Sequence, residues 1–221
     1  VQTLGTWIAS NNERFNWKVM WGAASAVLLY TLWYGWTVNG GDISYGRLNK
    51  IPFQEIEWYH ATAPALLLVL TRIGVPVSTS FLVLSAFAST FVLEKMLTKS
   101  MMGYAVAAVA AYAIWMVVSK ILDEAKPVTE THKAYWRVGQ WITTGFLWFT
   151  WLSHDMANIA VFLPRQIPWD LMIMISIVFV IGLGFMFREG GGKIQKIVLE
   201  KHNTRYVRSA TIIDAVYWII L

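Results

Sequence analysis

The chain contains no cysteine. Disulfides, thiolate metal sites and thiol redox couples are therefore excluded, and cysteine usage gives no indication of a redox compartment. Charge is also scarce: 14% of the 221 residues are Asp, Glu, Lys or Arg, against 57% hydrophobic. An average soluble domain carries about 25% charged residues, so this composition is that of an integral membrane protein. The net charge of +5 is modest, and the basic residues lie between apolar runs, as membrane topology requires, rather than gathered on a soluble face. Nucleic acid is excluded as a partner on that ground. The opening residues, Val1 to Ile8, lack the basic stretch of a signal peptide.

What the chain has in quantity is tryptophan, 13 residues of it. Trp17, Trp36, Trp58, Trp136, Trp169 and Trp218 fall near the ends of apolar runs. Indoles favour the headgroup level, so these read as belt residues at the faces of a lipid bilayer.

A membrane-crossing helix needs roughly 20 apolar residues. Trp17 to Val38 supplies the first run and is closed by the turn signal Asn39-Gly40-Gly41-Asp42. Residues 39 to 57 are polar and turn-rich and read as a connector with room for a short surface helix. Trp58 to Leu70 is apolar again and ends at Arg72. Phe81 to Leu93 follows, either as one short span or, with the segment before it, as a re-entrant hairpin of two half-helices. Met101 to Leu122 is an Ala-rich span. Residues 123 to 134 form the most polar connector and divide the chain into a first portion, 1–122, and a second, 135–221. His132 sits in that connector, and His60 and His202 lie in loop or interfacial settings, too scattered to form a metal site.

Tyr135 to Leu163 is too long for one span: roughly 29 residues at 1.5 Å each give about 44 Å, against a hydrocarbon core of about 30 Å. Either the helix breaks at Ser153-His154-Asp155, or it ends at Leu152 and leaves Asp155 outside as a cap. Trp169 to Phe187 is the next span, with Gly182 and Gly184 as candidate close-packing points. The loop 188–208 carries Arg188, Lys193, Lys196, Lys201, Arg205 and Arg208 against Glu189 and Glu200, which places it in the cytoplasm. The last run, Ala210 to Leu221, stops in mid-pattern, so more helix is expected beyond it. Together these elements predict an all-α polytopic protein of the cell membrane, with about 6–7 membrane segments.

Two stretches carry chemistry. The first is Ser153-His154-Asp155-Met156-Ala157-Asn158, polar residues inside an apolar passage. An ionisable group at membrane depth costs about 2.5 to 3.5 kcal/mol on insertion scales, so a chain that places one there generally uses it. Asp155 and Asn158 are three apart and share a helical face, where they could ligate one cation or substrate. The second is Pro76-Val77-Ser78-Thr79-Ser80. Pro suits the first position of a helix, and the N–H groups of Val77, Ser78 and Thr79 would then point out of a helix start that attracts anions. Such a start is either a half-helix at the bilayer midplane or a Ser/Thr N-cap at its surface. An enzyme is not indicated: His154 and Asp155 are adjacent, so on a helix they do not face each other, and no nucleophile accompanies them.

The two stretches together resemble the inorganic phosphate transporter (PiT) family of cation-coupled symporters, which carries two inverted copies of a unit with a G-A-N-D-x-A-N type motif and, further on, P-V-S-T-T-H. Pro76-Val77-Ser78-Thr79-Ser80-Phe81 resembles the second motif of the first copy, and Ser153 to Asn158 the first motif of the second copy. Gly190-Gly191-Gly192-Lys193-Ile194 in the basic loop also fits. The resemblance implies a multi-pass fold of two inverted repeats and transport of phosphate or a similar oxyanion. It implies that Ser78, Thr79, Ser80 and Asn158 hold the substrate, and that Asp155, Asn158 and His154 serve the coupling cation. Asp155 and Asn158 would be the ligands if that cation is Na⁺, and no other cofactor is implied. The family's opening motif would lie before Val1 and its closing one after Leu221. His154 stands where the family has Asn, which suits proton coupling, and Phe81 where it has His, which departs from phosphate recognition. A non-transporting subunit of a larger membrane complex is the alternative, and a homo-oligomer is compatible with either.

Overall fold

The computed structural model describes residues 17–75, 77–123, 130–189 and 207–220. All secondary structure among them is helical: α1 (Trp17–Val38), a 3₁₀ turn (Trp58–Ala61), α2 (Thr62–Ile73), α3 (Thr79–Ser85), α4 (Thr90–Asp123), α5 (Glu130–Ala160), α6 (Trp169–Arg188) and α7 (Val207–Ile220). By length and composition two helical stretches are long and apolar enough to cross a membrane, Thr90–Ile114 and Trp169–Arg188.

α5 packs on α1, α3 and α7, and α1 supplies one side of the core. Met20, Ala24, Leu28 and Leu32 recur every fourth residue and are all buried, which gives one apolar stripe along the helix. The stripe packs on α5 and α6, joining Met156, Ala157, Ala160, Met172, Ile175 and Leu183 in one core. The Trp21 indole donates to the Val180 carbonyl at 2.8 Å. Gly184 leaves room for it, since a Cβ there would lie 3.3 Å from the indole, whereas Gly182, the other candidate close-packing point, faces open space.

The turn signal after α1 acts as expected. Gly41 N–H bonds the Trp36 carbonyl at 2.8 Å, with Gly40 and Gly41 at φ 61° and 96°, a conformation that costs glycine little. Trp36 also bonds within the chain. Its indole donates to the Ile167 carbonyl at 2.8 Å, and Trp33, Trp36 and Trp169 meet edge to face. This aromatic cluster ties the end of α1 to the start of α6.

The segment 39–57 is a connector of turns without the short helix, and it also reaches into the core: Ile43, Ser44, Leu48 and Ile51 are buried. Asp42 organises it, accepting the Ser44 N–H and hydroxyl, both at 2.7 Å. Tyr45 takes a left-handed φ of 55°, and its hydroxyl donates to the Thr31 carbonyl of α1. Burial pushes that phenol up to about 12, so it remains a donor at any physiological pH.

Three helix boundaries differ from the sequence expectation. α4 begins at Thr90 and continues through Glu94, Lys95 and Lys99, although charge ends the apolar run there. These residues favour helix and their heads stay exposed, while Lys95 lies over the Phe91 ring at 4.0 Å. α5 already includes residues 130 to 134, part of the expected connector, whose residues 124–129 lie outside the described residues. α5 also runs unbroken through Ser153-His154-Asp155. Neither the break nor the early end at Leu152 occurs, because nothing in that stretch removes an N–H or frees the backbone, and Ser153 satisfies its hydroxyl on the Thr150 carbonyl at 2.7 Å. The helix stops at Ala160, short of Pro164, which disfavours helical backbone in the residue before it. His202, Gly190 to Ile194 and residues 190–206 of the basic loop lie outside the described residues, and of His132 only the helical backbone is described.

Candidate functional site

The 75–80 segment forms locally as a capped helix start. Gly74 (φ 89°) closes α2, and Ser78 N-caps α3, its Oγ accepting the Phe81 N–H at 3.4 Å. The helix therefore begins at Thr79 rather than Pro76, which itself lies outside the described residues. A Ser side chain supplies a helix start with an acceptor that Pro lacks, and this moves the boundary. As a result Val77 and Ser78 precede the first turn, and the Phe81 N–H is already taken by Ser78. The seven-residue α3 packs on α2 and on α5.

Contact with α5 brings the two sequence motifs together. Asn158, 7% exposed, uses its Nδ2 twice, donating to Ser80 Oγ at 3.1 Å and to Asp155 Oδ1 at 3.3 Å. Asn158 Oδ1 is buried without a donor. Beside this triad opens a cavity of about 510 Å³, walled by Ser78, Thr79, Ser80 and Asp155 together with apolar side chains, among them Trp148, Trp151 and Leu152 of α5.

Ser78, Thr79, Ser80 and Asp155 thus share one cavity wall. Asn158 stands behind it as the link between α3 and α5. His154 is half-buried and is not on the wall, since it projects about 100° around the helix from Asp155. Phe81, where the family has His, is also absent from the wall. Among the described residues no group of three His, Cys, Asp or Glu side chains is placed to hold a metal ion. Any cation here would rest on a carboxylate with amide and hydroxyl oxygens, the donor set of hard cations.

Sequence reasoning missed two contributors. Trp148, Trp151 and Leu152 form the apolar wall, and their spacing of three, four and seven residues before Asp155 places them on its face of α5. That signal was readable once Asp155 was taken as the centre. Arg47 is the other: its exposed guanidinium is held below its usual value by partial burial, and the Asp155 charge pulls it the other way. Only the folding of the 39–57 segment brings it near, so no local pattern could reveal it.

The Asn158–Ser80 bond is the direct physical link between the motifs. Asn158→Ala and Ser80→Ala, made singly and together, are expected to show a coupling energy of about 1 kcal/mol in reversible unfolding. Additivity within error would mean that the bond does not hold α3 to α5.

Compared with protein-family models, curated proteins and solved structures, the chain matches none.

Proposed function

We propose that the chain is a polytopic membrane protein that transports a small oxyanion, phosphate first among them, in symport with Na⁺ or H⁺. One observation carries this reading: segments about 75 residues apart in sequence, each polar within apolar surroundings, converge on a single cavity and hydrogen-bond through Asn158 and Ser80. A cavity of about 510 Å³ falls in the usual range for small-molecule sites, roughly 300 to 1,000 Å³. The hydroxyls of Ser78, Thr79 and Ser80 are donors for an oxyanion, and Asp155 with the Asn158 carbonyl attracts the coupling cation. In this reading the hairpin segment of residues 76–93, with α3 and the start of α4, belongs to a first repeat, and the Ser153–Asn158 stretch of α5 to a second, inverted one. Loop 188–208 then faces the cytoplasm.

The coupling follows from charge. An anion about 5 Å from an ionised Asp155 is repelled by roughly 3 kcal/mol at an effective dielectric of 20. A cation or proton bound first removes that repulsion, so the two solutes enter together. Uptake of radiolabelled phosphate by proteoliposomes, with Na⁺ and pH gradients imposed separately, tests this. Accumulation driven by one gradient is expected, and no accumulation under either would exclude the proposal.

A second reading, a non-transporting subunit of a membrane complex, is favoured by α4. None of the Thr90–Ile114 window is buried within the chain, leaving a whole helix for lipid or for a partner. Absence of uptake together with a defined stoichiometric complex in native membranes would select it.

A further inference from the structure

Away from the cavity the chain buries a carboxyl group. Asp214 on α7 is 2% exposed, and Thr144 of α5 donates its hydroxyl to Asp214 Oδ2 at 2.6 Å. The helix pair closes tightly on either side. Towards one end, Thr211 donates to the Trp136 carbonyl at 3.2 Å and its methyl lies against Gly139, where a Cβ would be 3.5 Å away. Towards the other, the Phe146 and Trp218 rings stack with centroids 4.6 Å apart. Gln140, one turn before Thr144, is buried in the same face.

Among the described residues no cation balances Asp214. On α5 the charged or titratable groups nearest in sequence to Thr144 are Tyr135 and Arg137, both exposed, and His154 and Asp155, three turns further on. The side chains of Glu130, His132 and Lys133 lie outside those described. On α7 they are Arg208, six residues before Asp214, and Tyr217, three after and exposed. None of these charges reaches Asp214, whose surroundings amount to burial and the Thr144 hydroxyl. An ionised carboxylate removed from water costs several kcal/mol, and one hydroxyl donor recovers only part of it. Taking up a proton removes the charge altogether.

We propose that Asp214 is a reversible proton-binding site, with Thr144 as its positioning residue. The step is a simple one: a carboxylate oxygen gains a proton from water and returns it. A hydroxyl serves both states, donating to the carboxylate and accepting from the neutral acid. Thr144 and Asp155 are eleven residues apart on α5, which is close to three full turns, so they lie on the same side of the helix and about 16 Å apart. The site does not depend on what the cavity binds.

Infrared difference spectroscopy of the whole chain in lipid nanodiscs, titrated from about pH 5 to about pH 10, tests this across the range in which a shifted carboxyl titrates. The wild type is expected to show a protonated-carboxyl band that fades reversibly as pH rises. Asp214→Asn is expected to lose that band while Asp155→Asn keeps it. Thr144→Val, which deprives the ionised form of its donor, is expected to move the midpoint up by about one pH unit. This second variant keeps the test open if Asp214→Asn fails to fold. The proposal is overturned by a band that is missing throughout, by one that persists unchanged to the highest pH, by a midpoint indifferent to Thr144→Val, or by a band that responds to Na⁺ and not to pH. Because the readout is spectroscopic, failure of phosphate uptake leaves the result intact.

Discussion

Asp155→Asn is expected to bring gradient-driven phosphate uptake down to the level of protein-free vesicles while the chain folds normally. The amide has nearly the shape of the carboxylate and can still meet Asn158, so helix packing is kept. What it lacks is charge. Without a negative group there is nothing to draw the cation into the site before the anion, and nothing whose neutralisation makes anion entry conditional. A repulsion of roughly 3 kcal/mol corresponds to about a hundredfold in anion affinity. With that repulsion gone, phosphate is expected to bind the variant without a cation, and imposed Na⁺ or pH gradients are expected to make no difference to it. Asp170→Asn is the matched control: Asp170 is exposed in the first turn of α6 and away from the cavity, so its uptake should equal that of the wild type. Unaltered accumulation by Asp155→Asn, with normal circular dichroism and a single size-exclusion peak, would remove Asp155 from the mechanism.

The site was more legible in the sequence than the fold around it. Asp155 and Asn158 stand out because polar side chains in an apolar passage demand partners, and Ser78 to Ser80 because hydroxyls after Pro and Gly mark a helix start. That they share a cavity is a tertiary fact: about 75 residues separate them, and periodicity carries no information over that distance. Boundaries were readable where backbone chemistry sets them, as at Asn39-Gly40-Gly41 and at Pro164 to Pro168. They were misread where only hydropathy changes. Glu94, Lys95 and Lys99 end an apolar run without ending a helix, since the backbone hydrogen bonds continue whatever the side chains carry. The length of α5 suggested a break, yet no residue there weakens the ladder. The 39–57 segment was hidden by its composition, because Ile43, Leu48 and Ile51 are spaced among polar residues with no regular period. The bond from Trp36 to the Ile167 carbonyl was not readable, because it spans 131 residues of sequence.

Gly35→Ala is expected to destabilise the chain by about 1 to 3 kcal/mol, against the ordinary rule for glycine in a helix. Ala normally gains up to about 1 kcal/mol over Gly at such a position. Here a Cβ would stand 2.7 Å from Cε2 and 2.9 Å from Cζ of Tyr45, closer than carbon atoms tolerate. The Tyr45 ring has little freedom to retreat, since its backbone is left-handed and its hydroxyl is bound to the Thr31 carbonyl one turn earlier on α1. Gly22→Ala provides the internal reference, because it lies in the same helix with nothing within 4 Å of its Cβ position. That variant should be neutral or slightly stabilised, and the difference in reversible unfolding between the two is expected to reach about 2 to 4 kcal/mol. Adding Tyr45→Ala to Gly35→Ala should recover the part of the loss that comes from the clash. Equal stability of Gly35→Ala and Gly22→Ala would mean that Tyr45 does not pack on α1. The effect should also reach the cavity: Tyr45 anchors the segment that carries Arg47, and Arg47 is a cation whose field reaches Asp155. Loosening that anchor changes the charge balance at Asp155 without touching a cavity residue, so in Gly35→Ala a shifted gradient dependence of uptake should accompany the loss of stability.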